Sequence, residues 1–266
     1  MKKMPRLLLI GMLMLGLICV GMGCAGDEKS SQPNENKNPK LIVGSQTTYP
    51  PFEMVGPNGD YIGFDMDLIR AIGEVQGYEI EINSLGFDAL IPALEAGNVD
   101  CTISAQSITP QRLEKIDFSD PYFTAGLIIA VRADNEDINS LEDLRGKTLA
   151  AEVGTTGAAA SNRIKDEDSS TTIKIFDGIG EAFMELEKGG ADAVINDFPV
   201  THYYMETDGK DKIKMVGELF SADDQYGIGV KKGNTEVLNL INEGLAKIKE
   251  NGTYDEIYKK WFGDQQ

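Results

Sequence analysis

Seventeen residues, Ser104 to Asp120 (SAQSITPQRLEKIDFSD), pass from a strand end through a hydroxyl-rich loop to a lone arginine and an acidic-aromatic tail. Thr109 before Pro110 reads as an N-cap and first helical residue. Arg112 then falls in the first turn, where exposed N–H groups already favour an anion. A positive charge is locally unfavourable there unless its guanidinium reaches outward to a carboxylate in fork geometry. The segment therefore reads as one wall of a carboxylate site, with a solvated arginine on a helix end as the alternative.

Such a wall needs a partner, and the chain supplies a second copy of its framework. Leu94–Ser104 (LEAGNVDCTIS) lies over Leu186–Asn196 (LEKGGADAVIN) without a gap. Each is a helix end, a glycine stop and an apolar strand. Ser104-Ala105 and Asn196-Asp197 become equivalent strand ends. Ligands gather at the carboxyl ends of strands in open α/β sheets, so the repeat predicts two lobes facing one ligand.

The rest alternates strand and helix. Strands are expected at Leu41–Ser45, Tyr78–Leu85, Leu127–Arg132, Thr148–Glu152 and Thr172–Phe176, and near Ile213–Val216 and Tyr226–Val230. Asp65 reads as the cap of a helix whose apolar face is Leu68, Ile69, Ile72 and Val75, stopped by Gly77. Further helices are expected at Phe87–Ala96, near Ser140 and Asp143, after Gly154-Thr155-Thr156-Gly157, at Ile179–Lys188 and from Glu236 to about Glu250. A last helix carries Tyr254, Ile257, Tyr258, Trp261 and Phe262 as a packing face. Phe52 and Phe64 read as core.

Residues 1–23 join a basic start to an apolar stretch ending in small residues, which is an export signal. Its apolar run is close to the lower limit for spanning a bilayer, which leaves an uncleaved anchor as an alternative. Cys24 follows Gly23 as in lipoprotein signals, where that cysteine receives a lipid. Gly21 departs from the leucine such signals usually carry, and a plain secreted or periplasmic protein is the other reading. Residues 24–40 lack large apolar side chains and cannot repay their ordering entropy by burial, so they read as a flexible tether between a lipid bilayer and a folded body. The formal charge of −18 becomes −21 once Lys2, Lys3 and Arg6 leave with the signal. A body so acidic excludes nucleic-acid binding through phosphates. Cys101, the one cysteine beyond Cys24, makes no internal disulfide and reads as a buried small residue. His202 is the sole histidine, and neither a metal site nor a cofactor is expected.

GFDMDL at Gly63–Leu68, ALIPAL at Ala89–Leu94, SITPQR at Ser107–Arg112, IDFSDPY at Ile116–Tyr122, GTTG at Gly154–Gly157 and NGTYDEIYKKWFG at Asn251–Gly263 together resemble the polar amino-acid binding proteins of bacterial ABC importers. The resemblance covers Leu41 to Gly263. It implies an α/β, two-lobed periplasmic-binding-protein-like fold of type II, with a two-strand hinge near Tyr122–Gly126 and Ala222–Tyr226. Lobe one would be 41–123 plus 227–266, and lobe two 124–226. The implied partners are a free L-amino acid and an ABC permease with its ATPase, and the implied state is a monomer.

Carried over by position, Ser107 and Arg112 would hold the ligand carboxylate, completed by Thr155 and Thr156 at a glycine-flanked helix start. A helix cap without ligand is the alternative for both threonines. Asp197 would take the α-ammonium with the Ala105 carbonyl, unless it caps the helix at Phe198-Pro199. Tyr49 and Phe87 would sandwich the ligand side chain, with core packing as the alternative for Phe87.

Gln46, Glu152 and Asn196 stand where glutamine binders of the family carry aspartate, lysine and histidine, so the resemblance does not transfer glutamine. Basic-amino-acid binders usually place an aspartate at the first position and often a glutamine at the second, the reverse of Gln46 and Glu152. A buried carboxylate without a partner is costly or becomes protonated, which favours a cationic ligand of the arginine or lysine kind. A rim position in water is the other reading of Glu152, and a neutral polar ligand stays open. The fold family also includes a dehydratase, whose carboxylate follows the Asp197 position; Phe198, Pro199 and Val200 stand there, so the chain is not expected to be an enzyme. A sensor domain on the same fold is the remaining class.

Overall fold

The computed structural model describes residues 38–263; the export signal, Cys24 and all but the end of the tether lie outside the described residues. Two five-stranded sheets carry the body. The first runs in the order Glu79–Ser84, Lys40–Ser45, Cys101–Thr102, Gly229–Lys231, Ile116–Phe118. The second runs Thr172–Phe176, Thr148–Glu152, Ala193–Asp197, Leu127–Arg132, Ile213–Phe220. In each sheet the first three strands are parallel, and the fourth is antiparallel to both neighbours.

The matched segments of the repeat therefore occupy the same place, the middle strand of each sheet. Their glycine stops behave alike: Gly97 ends the helix Leu90–Ala96 with φ 76°, and Gly189 follows the helix Ile179–Glu187 with φ 74°. This left-handed backbone costs glycine little and turns the chain from helix into strand.

Between the sheets, Phe123–Thr124 pairs antiparallel with Gln225–Tyr226. Each crossing segment leads directly into the fourth strand of the sheet it enters. The pair is held by its rings. Phe123 and Tyr226 stack at 5.7 Å, and Phe123 also stacks on Tyr258 of the last helix, Thr253–Phe262, at 5.9 Å. Phe52 and Phe64, both fully buried, meet this cluster edge-on. Each buried ring contributes on the order of 1.5–3 kcal/mol by area, and each well-placed ring pair about 0.5–1.5 kcal/mol more.

Local expectations change in several places: the strand expected near Tyr226–Val230 is split into Gln225–Tyr226 in the crossing and Gly229–Lys231 in the first sheet, and the one near Ile213–Val216 runs on to Phe220. The first strand begins at Lys40 rather than Leu41. Asp65 is not a helix cap: Gly63 takes that place before Phe64–Gln76, and Asp65 is fully buried within the helix. Gly63 has φ 138°, and a Cβ there would lie 2.0 Å from the Phe52 carbonyl oxygen, so a side chain is excluded.

Candidate functional site

Tyr49, Phe87, Ala105, Ser107, Arg112, Glu152, Thr155, Thr156 and Asp197 line one cavity between the two sheet-bearing lobes. Gln46 and Asn196 are buried beside it, Asn196 through the Tyr49 hydroxyl, which lies 2.8 Å from its Oδ1. All the candidate residues of the folded body are thus brought together; Cys24 lies outside the described residues. The enclosed space is only about 10 Å³, room for roughly one water. The cavity as it stands has no room for a larger occupant.

Arg112 sits where the Thr109-Pro110 start predicts. Thr109 Oγ1 accepts from the Arg112 N–H at 3.2 Å. Arg112 is 9% exposed, with its Cζ 5.1 Å from the centre of the Phe87 ring, so it is not a solvated surface arginine. Its Nη1 donates to the Ser107 carbonyl at 2.7 Å, and its Nη2 reaches across to the Gly154 carbonyl at 3.0 Å. Burial lowers its pKa, while Asp197 and Asp224 act to raise it.

Across the cavity, Thr155 caps the helix Thr156–Glu167 by accepting from the Ala158 N–H at 3.1 Å, and its hydroxyl donates to the Glu152 carbonyl at 2.8 Å. Thr156 follows as the first helical residue, and the leading N–H groups of a helix have no partner within it. Thr155 is thus occupied by capping, and Thr156 lines the cavity at the helix start. Gly157 lets this helix start press against the middle strand: a Cβ would lie 2.2 Å from the Ile195 carbonyl oxygen.

The other pole is acidic. Asp197 Oδ2 accepts from the hydroxyls of Tyr226 at 2.5 Å and Tyr49 at 2.9 Å. It precedes the helix Phe198–Glu206 but makes no side-chain cap bond, so capping does not explain it. Burial pushes its carboxyl up to about 6, opposed by the hydrogen bonds from Tyr226 and Tyr49. Ala105, which lines the same cavity, adopts a left-handed φ of 43°, uncommon without a glycine. Its N–H donates to Asp65 Oδ2 at 2.7 Å.

Glu152 is 1% exposed, which overturns the rim reading. Neither carboxyl oxygen has a hydrogen-bond partner. Burial pushes it up to about 8; the Gln46 side chain and the Ile179 N–H lower it, but neither makes a hydrogen bond of good geometry. Gln46 Oε1 is likewise buried without a partner.

Two residues of this site escape a reading of the sequence. Asp224, just before the returning crossing strand, accepts from the Ser107 hydroxyl at 3.0 Å and acts electrostatically on Arg112. Tyr226, within that strand, holds Asp197. Their common signal was their place on a crossing segment, where a side chain can reach both lobes.

The arrangement sets a cation and a helix start at one pole, a carboxyl held by two tyrosines at the other, and a second, unpaired carboxyl in the lining.

The profile of the bacterial extracellular solute-binding proteins, family 3, matches residues 41–264. ABC transporter arginine-binding protein 1 of Escherichia coli (strain K12) is 32% identical over 228 residues, covering 84% of this chain and 90% of its own length. Among solved structures, an ancestral arginine-binding protein bound to arginine has a TM-score of 0.81 at 42% identity, covering 85% of this chain and 100% of that one. An ancestral arginine-binding protein bound to glutamine has a TM-score of 0.80 at 42% identity, covering 85% and 98%.

Proposed function

This chain belongs to the bacterial extracellular solute-binding proteins of family 3, and from that premise we propose that it captures a free L-amino acid between its lobes and delivers it to an ABC permease. In this reading Arg112, Ser107 and Thr156 hold the carboxylate, and Thr155 fixes the helix start. Asp197 and the Ala105 carbonyl take the ammonium, while Tyr49 and Phe87 flank the side chain. Lobe one is 41–123 with 227–266, lobe two is 124–226, and the ligand touches both. Only such a ligand has the differential affinity to favour closure. Cys24 carries the lipid that holds the body at the outer face of the cell membrane, and the protein works as a monomer.

The favoured ligand is basic, of the arginine or lysine kind. One observation carries this choice: Glu152 is buried at the cavity with both oxygens unpartnered. A carboxylate in that position gains most from a cation brought by the ligand. The same observation supports a second reading. A carboxyl pushed up to about 8 is protonated at neutral pH and can exchange hydrogen bonds with a neutral amide such as that of glutamine. Calorimetric titration of the unlipidated protein with all twenty amino acids separates the two, with arginine or lysine expected to bind most tightly. Tightest binding of glutamine would select the second reading, and no binding below about millimolar, roughly 4 kcal/mol, would overturn both. The anchor is tested by fractionation: Cys24→Ala is expected to move the protein from membrane to medium or periplasm.

A further inference from the structure

Beneath the Ser104–Ser107 loop lie two buried acids that the site above does not use. Glu53 and Asp65 are both fully buried. Glu53 Oε1 accepts from the Ser104 hydroxyl at 2.9 Å, and Ser104 Oγ in turn accepts from the Gln46 N–H at 3.1 Å. Asp65 Oδ2 accepts from the Ala105 N–H at 2.7 Å and from the Tyr122 hydroxyl at 2.8 Å. One oxygen on each acid is left over: Glu53 Oε2 and Asp65 Oδ1 are buried without a partner. As two carboxylates the pair would put like charges side by side in a dry interior, with two orphaned acceptors. A single proton removes both problems.

We propose that Glu53 and Asp65 share one proton, with Glu53 Oε2–H donating to Asp65 Oδ1, and that this pair is the positioning device that holds the Ala105 carbonyl towards the ligand ammonium. Protonated Glu53 keeps Oε1 for Ser104, and ionised Asp65 keeps Oδ2 for Ala105 and Tyr122. The pull of Asp65 on the Ala105 N–H holds that residue in the left-handed conformation that nothing in its own side chain favours. Burial and the neighbouring Asp65 both push the Glu53 carboxyl well up, and Glu53 in turn acts to lower Asp65, the direction in which a proton carried by Glu53 and offered to Asp65 works. The titratable groups acting on the pair are Tyr49, Tyr122, Tyr254 and Glu152, and none brings a positive charge.

The positioning role rests on the amino-acid reading above; the shared proton does not. Infrared spectra of the Glu152→Gln protein at about pH 9, far above ordinary carboxyl values, are expected to show the C=O stretch of a protonated carboxyl. Adding Glu53→Gln should abolish that band. No band, or a band that survives Glu53→Gln, overturns the shared proton whether or not the protein binds amino acids. In the otherwise wild-type protein, Glu53→Ala leaves Asp65 Oδ1 without a donor and is expected to weaken arginine about tenfold. Glu53→Gln keeps a donor towards Asp65 and should restore affinity to within about threefold of wild type. Equal losses in the two variants would overturn the positioning role. Should Glu53→Ala fail to fold, the band and the Glu53→Gln affinity decide alone.

Discussion

Tyr226 donates its hydroxyl hydrogen to Asp197 Oδ2 at 2.5 Å. One residue belongs to the strand that returns from the second sheet, the other to the middle strand of that sheet. The acidic pole is therefore tied to the crossing, and its buried carboxyl is held by the hydroxyls of Tyr226 and Tyr49. Asp197→Asn should weaken every amino acid by about 1.5–3 kcal/mol, the range for a charge-assisted hydrogen bond. The same substitution should leave binding of the matching deaminated carboxylate within about threefold. Calorimetry on the pair of ligands checks this, and an equal loss for both would remove Asp197 from the ammonium site.

Glu152 gives the ligand a pH signature. Its carboxyl lies at about 8, so it is largely protonated at neutral pH. Pairing with a guanidinium needs the ionised form, so arginine must displace a proton. Arginine affinity is expected to climb by up to about tenfold per pH unit between about 6 and 8, then level off. Titrations in buffers of different ionisation enthalpy should report about one proton released. Glu152→Gln should abolish both effects; a flat profile in the wild type would rule out ion pairing.

Stability should respond to pH in the opposite sense. Burial raises Asp65 to about 7, Asp197 to about 6 and Glu152 to about 8. Between the unfolded values and these, the folded protein binds more protons than the unfolded chain, so stability falls as pH rises. The unliganded protein should melt at a higher temperature at pH 5 than at pH 8, by several degrees. Saturating arginine should narrow that difference by supplying counter-charges. A melting temperature that rises from pH 5 to pH 8 would contradict the raised acids.

Arg112 and Asp197 were legible because local rules constrain them. Thr109-Pro110 fixes a helix start by chain geometry, and the repeat fixes Ala105 and Asp197 as equivalent strand ends. Asp65 misled for the same reason: an acid before an apolar helical face reads as a cap, yet its partners are the Ala105 N–H and the Tyr122 hydroxyl, distant in sequence. Asp224 and Tyr226 were invisible because their partners, Ser107 and Asp197, come close only when two lobes share a crossing. No periodicity encodes such a meeting. The burial of Glu152 was the favoured of two sequence readings, since the carboxyl end of a strand can face a cavity or water, and the structure decides for the cavity.

Gly157 offers a test of how tightly the site depends on packing behind it. A Cβ there would meet the Ile195 carbonyl oxygen at 2.2 Å and the Asn196 Cα at 3.5 Å. These are backbone atoms of the middle strand and cannot rotate away, so the helix start itself must shift. Gly157→Ala is expected to cost about 1–3 kcal/mol of stability, as overpacking does. It should also weaken all amino acids together, because Thr156 would retreat from the pole that Arg112 serves, leaving the preference for arginine over glutamine unchanged. Gly180 is the control: it lies in the helix Ile179–Glu187, and a Cβ there meets nothing within 4 Å. Gly180→Ala should stabilise by about 0.5–1 kcal/mol without affecting binding. Chemical denaturation and calorimetry on the two variants read both effects. If Gly157→Ala bound as tightly as Gly180→Ala, the helix start after Gly154 would have no part in holding the carboxylate.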